Sequence, residues 1–83
     1  MKIRIDPDID EIATLQKAYL GKEVIVKYGV NRNKKRGIAE SFNDAAIILR
    51  LGPSLVFAVP YRLHLDINLT DNAKSLEQKT NNF

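Results

Sequence analysis

The sequence predicts a mainly β fold with one N-terminal helix and five strands, a small coiled β-barrel or two-layer sheet. Three observations carry this expectation. Five short runs rich in Val, Ile, Leu or Phe follow one another: Glu23–Val30, Arg36–Phe42, Ala45–Leu51, Leu55–Val59 and Leu63–Leu69. The breaks between them hold Gly, Pro, Asn or Asp, residues that turn a chain. Ahead of them, residues 8–20 repeat apolar side chains at helical rather than strand spacing.

Eighty-three residues are expected to make one domain, 1–69, followed by a flexible tail, 70–83. A chain this short buries a small fraction of its surface and is marginally stable without help. It has no Cys, so neither a disulfide nor a thiolate metal site supplies that help. Self-association is the remaining common route. No basic-then-apolar leader and no run of membrane-spanning length is present, so a cytoplasmic protein with no membrane partner is expected. Asn68-Leu69-Thr70 fits a glycosylation acceptor, but with no secretory signal it reads as chance. The net charge is +3, and residues 22–69 hold eight basic and four acidic groups. The cationic excess therefore lies on the β-rich part, where it would attract a polyanion or simply solvate a surface.

Taken in order, Met1–Ile5 alternates and reads as an edge strand or an arm lying across the core. Asp6-Pro7 suits a helix start, with Pro in the first turn, and Asp8 with Glu11 makes an alternative capping box. Ile9, Ile12, Ala13, Gln16, Tyr19 and Leu20 define one helical face, and Gly21 supplies a left-handed stop. In the first strand Val24, Val26, Tyr28 and Val30 share a face. Asn31 to Gly37 reads as a polar hairpin connection with four positive charges. Asn43-Asp44 is a tight turn, and Gly52-Pro53-Ser54 is another.

Ala45–Leu49 and Leu55–Val59 are apolar at successive positions, so both are expected to be covered on two faces. The helix would cover part, and a second copy pairing through strands 45–49 and 55–59 would cover the rest. Pro60-Tyr61-Arg62 interrupts the sheet. The last strand alternates, with Leu63, Leu65, Ile67 and Leu69 inward. Beyond Thr70 the apolar period is lost, which predicts a frayed tail with at most a transient helix around Ala73–Lys79.

A helix followed by five short bent strands resembles the element order of Sm-like proteins, within the SH3-like small barrels. The resemblance spans roughly residues 9–67. It rests on the Gly21 stop, the Val24-Ile25-Val26 strand, the run Gly37-Ile38-Ala39-Glu40-Ser41-Phe42-Asn43-Asp44, and the break at Pro60-Tyr61-Arg62. The C-terminal domain of bacterial ribosome-maturation proteins and the small YolD-like proteins look similar at this level. The resemblance implies a five-stranded barrel. Its base-gripping residues do not carry over: Asn43 stands where that family has Asp, Ile47 where it has Asn, and Leu63 follows Arg62 where it has Gly.

Arg32, Lys34, Lys35 and Arg36 are the leading site candidates, because a basic hairpin tip can lie along a phosphate backbone. Arg50 and Arg62 would extend the patch if they face the same way, and Tyr61 beside Arg62 is the aromatic expected near a binding surface. The plainer reading is a solvated loop that blunts a sheet edge. Asp6, Asp8 and Asp10 have the spacing that opens a calcium loop, but Glu11 and Lys17 stand where its Gly and closing Glu are needed. A His64–Asp66 pair has no nucleophile placed near it by sequence. The expectation is a non-enzymatic nucleic-acid-binding accessory protein, of RNA or DNA, without cofactor or metal. The alternative is a protein–protein adaptor or inhibitor acting through exposed strand edges.

Overall fold

A computed structural model describes residues 1–75. The helix α1 spans Ile9–Tyr19 and begins at the second of the two expected starts. Asp8 is the N-cap: its carboxylate accepts from the Glu11 N–H at 2.8 Å, and Glu11 reaches back to the Asp8 N–H at 3.3 Å. This reciprocal box satisfies two N–H groups that the first turn leaves without partners. At the other end Gly21 takes φ +77°, a conformation that costs a residue without Cβ little. Its N–H then donates to the Ala39 carbonyl at 2.8 Å, which seats the end of the helix on the sheet.

The buried helix face is rotated from the expected one. Leu15 is 1% exposed, with Ile12 and Tyr19 packed beside it, while Ile9 is 83% exposed. The spacing of Ile12, Leu15 and Tyr19 is as helical as that of the expected set, so periodicity alone did not choose between them. The choice is made by the sheet beneath, where Gln16 flanks the contact and donates to the Phe42 carbonyl at 3.2 Å.

Five strands follow: β1 (Glu23–Tyr28), β2 (Asn33–Phe42), β3 (Ala46–Gly52), β4 (Leu55–Pro60) and β5 (Asp66–Leu69). They form one antiparallel sheet in the order β4-β3-β2-β1-β5. The mainly β fold with an N-terminal helix is thus as expected. Among the described residues, no ladder joins β4 to β5, and the sheet is open. Its inward face carries Val24, Val26, Ala39, Ile47, Leu49, Val59 and Ile67, all fully buried. With Leu15 from the helix and Ile3 from the N-terminal arm, they form one core.

The arm lies along the outer side of β5. Lys2 bridges to Asp66, the Ile3 N–H donates to the Leu65 carbonyl at 2.9 Å, and the Ile67 N–H donates to the Met1 carbonyl at 2.8 Å. Between β2 and β3, Asn43 makes the turn chemically: its side-chain oxygen accepts from the N–H groups of Ala45 and Ala46 at 3.0 and 2.8 Å.

Several boundaries differ from the sequence expectation. β2 begins at Asn33, so the hairpin connection shrinks to residues 29–32, with positive φ at Gly29 and Arg32. A short 3-10 turn, Tyr61–Leu63, fills the break before β5, and this takes Leu63 out of the strand and leaves it partly exposed. β3 is mostly buried as expected, but β4 is not covered on both faces: Leu55, Val56 and Ala58 are exposed. Residues 71–75 are helical rather than frayed, and Thr70 starts them. Its hydroxyl accepts from the Ala73 N–H at 3.2 Å and donates to the Glu23 carboxylate at 2.7 Å, while Ala73 is buried. The remainder of the expected transient helix lies outside the described residues.

Candidate nucleic-acid interface

The basic segment is a strand, and a strand divides its side chains between two faces. Lys34 and Arg36 therefore point outward, opposite Lys27 and Ile25, whereas Lys35 shares the inward side with its partner Val26. The expected cluster of four cations on one loop does not form. Only Arg32 lies in the turn, where its guanidinium donates to the His64 carbonyl at 2.8 Å. The Gly29 N–H donates to the Leu63 carbonyl at 2.8 Å, so the hairpin tip is docked on the segment that carries Arg62.

Two of the expected cations are already matched by acids. Arg36 lies 3.0 Å from the Glu23 carboxylate. Hydrogen bonds from Thr70 and then from Arg36 hold that carboxyl below its ordinary pKa. Arg50, further along the same face, pairs with Glu40 and donates to the Pro53 carbonyl at 3.3 Å. Lys35 caps an aromatic group instead, its ammonium 5.1 Å from the centre of the Phe57 ring. Tyr28 packs against the same ring at 6.2 Å. Both aromatics are half-buried beside the hairpin tip.

Tyr61 corrects the sequence reading. It is 1% exposed rather than at a surface, and its hydroxyl donates to the Asn43 carbonyl at 2.8 Å. That bond satisfies the one polar atom of the ring and lets the whole side chain join the core. Burial, and secondarily the nearby Asp44 carboxylate, push its pKa up to about 12.

The register shows a grouping that the sequence hid. Lys2 stands opposite Asp66, Asp66 opposite Lys27, and Lys27 opposite Lys34. Directly opposed residues share a face, so these four form one row across the arm, β5, β1 and β2. The row crosses three strand spacings, about 14 Å. Its one acid also pairs outside the row: the Met1 amino group sits 2.9 Å from the Asp66 carboxylate. That hydrogen bond is the main cause of the lowered Asp66 pKa, and the charges of Arg32 and Lys27 add to it. Lys27 and Lys34 face each other with no acid between them, an arrangement that destabilises a sheet on its own. Lys2 and Lys27 were legible as outward residues of alternating strands. Lys27 meets Lys34 through the register of the β1–β2 hairpin, and only the pairing of β5 and the arm, distant in sequence, brings Lys2 into the same row.

The other site candidates do not assemble. His64 is exposed in a left-handed turn rather than on a strand face. Among the described residues no three His, Asp or Glu side chains come together as a metal site, and no helix is long and apolar enough to cross a membrane. Asp8 and Glu11 cap the helix. Comparison with protein-family models, with characterised proteins and with solved structures finds no match for this chain.

Proposed function

We propose that this protein is a non-enzymatic nucleic-acid-binding module, and that Lys2, Lys27 and Lys34 lie along a phosphate backbone with Arg32 at the hairpin tip. The observation that supports this reading is the cross-strand row itself. Facing lysines cost stability in the unliganded protein, and a bound polyanion turns that cost into attraction. Arg62 is exposed in the segment on which the tip docks, at Leu63 and His64, and in this reading it would serve a longer ligand. The element order of a helix and five antiparallel strands is also that of SH3- and Sm-like barrels. Fold likeness hosts many functions, so the reading rests on the row and not on the likeness.

The mechanism is counterion release. Four phosphate contacts on a single strand give a log–log salt slope of about −2.8, or roughly a fifty-fold loss between about 50 and 200 mM salt. Fluorescence anisotropy with labelled RNA, single-stranded DNA and duplex DNA tests it. Titration at several salt concentrations is expected to give this slope with the preferred ligand. Affinity that is absent at low salt, or independent of salt, would remove the proposal.

A further inference from the structure

The sheet has two ends, and they differ. At β5 the Met1–Ile3 arm occupies the outer side, with its bridge at Asp66 and its backbone bonds to Leu65 and Ile67. At β4, among the described residues, nothing pairs with the outer side. The stretch from Leu51 to Tyr61 has no charged residue, although open strand edges are ordinarily protected by charge. Leu55 and Val56 are 58% and 54% exposed there.

The direction of the open backbone groups follows from the ladder. The Tyr61 N–H donates to the Ala45 carbonyl at 3.0 Å, next to the Ala46–Pro60 pair. Antiparallel pairs alternate between bonded and non-bonded, so Val59 and Phe57 bond to β3, while Ala58 and Val56 direct their N–H and C=O outward. Pro60 directs only its carbonyl outward, having no N–H.

We propose that β4 pairs antiparallel with β4 of a second copy about a twofold axis through Phe57. This register sets Val56 opposite Ala58 of the second copy and joins their outward N–H and C=O groups in four hydrogen bonds. It places Pro60 opposite Ser54, beyond the end of the strand. A shift of two residues would set Pro60 opposite Val56 and leave the Val56 carbonyl without a donor. A head-to-tail chain through β4 and β5 is blocked by the arm on β5, so the contact closes as a dimer. A neutral edge meets a neutral edge, with no like charges opposed.

Sedimentation velocity from micromolar to millimolar protein, with amide exchange followed by NMR over the same range, tests this pairing. The expected result is a reversible dimer in which the Val56 and Ala58 amides become more protected as concentration rises. The double variant Val56→Lys and Ala58→Lys, at two exposed positions, is expected to keep the thermal unfolding midpoint measured for dilute protein and to shift dimerisation at least tenfold weaker. Because the chain has no Cys, Phe57→Cys provides an independent reading: it is expected to form a disulfide-linked dimer under mild oxidation. A monomer at all concentrations, a dimer untouched by the double variant, or protection of the two amides that does not depend on concentration would each overturn the proposal.

Discussion

Replacing Lys34 by Glu should stabilise this protein while weakening its binding. Lys34 faces Lys27 across β1 and β2, and the exchange turns a like-charge pair into an opposite pair. With the charged ends about 6 Å apart in water, the unscreened interaction is about 0.7 kcal/mol. Screening at physiological salt reduces it to about 0.3 kcal/mol, so reversing its sign is worth about 0.6 kcal/mol. That lies within the roughly 0.2–1 kcal/mol range of measured cross-strand pairs. For a domain of this size it raises Tm by about 2–5 °C. Lys34→Gln, which removes the repulsion without adding attraction, should give about half the rise. Thermal unfolding followed by circular dichroism reads both variants. At about 1 M salt the Debye length falls to about 3 Å, and the difference between variants should nearly vanish. A Tm unchanged or lowered by Lys34→Glu at low salt would show that Lys27 and Lys34 do not repel across the strands, as would a rise that salt does not diminish.

Other consequences follow from the same packing. A Cβ on Gly37 would stand 2.6 Å from the Arg50 carbonyl oxygen and 2.9 Å from the Leu51 side chain, so β2 and β3 would have to separate. Gly37→Ala should therefore lower stability by about 1–3 kcal/mol in chemical denaturation. Leu15→Ala should cost about 2–5 kcal/mol and Ile9→Ala less than about 0.5, a contrast that would reverse on the helix face read from sequence. Tyr61 has its pKa raised to about 12 in the folded protein, above the ordinary value of about 10. Its contribution is thus fully present below the unfolded value and is lost as pH rises toward the folded one. Tm should fall across that alkaline window in the wild type and fall less in Tyr61→Phe, which has no hydroxyl to ionise.

The elements were legible because local chemistry specifies them. Asp8 and Glu11 form their box within one turn, Gly21 tolerates the left-handed stop, and Asn43 closes its own turn by its side chain. What stayed hidden depends on which distant residues meet. The charge of residues 32–36 suggested one basic loop, but the turn closes at Arg32 and the strand sends Lys35 to the other face. Tyr61, set between Pro60 and Arg62, looked like a surface aromatic. Its hydroxyl finds the Asn43 carbonyl, a partner from another turn, and the ring is buried. Thr70 looked like the start of a polar tail, yet it bonds Glu23 and caps a further helical turn. The lysine row is the clearest case. Lys2, Lys27 and Lys34 are spread over three segments, and only the antiparallel register aligns them.

If the lysine row is a phosphate track, position on the row, and not net charge, carries nucleic-acid affinity. The most direct measurement compares two variants that each lose two charges, Lys27→Gln with Lys34→Gln, and Lys17→Gln with Lys74→Gln. Both are titrated by anisotropy against the same labelled single strand over a salt series. The row variant is expected to reduce the magnitude of the salt slope by about 1.4 and to weaken binding at least tenfold, while the other stays within about threefold of wild type. Equal losses in the two variants would show that charge alone attracts the ligand, and would contradict a phosphate track across the arm, β5, β1 and β2.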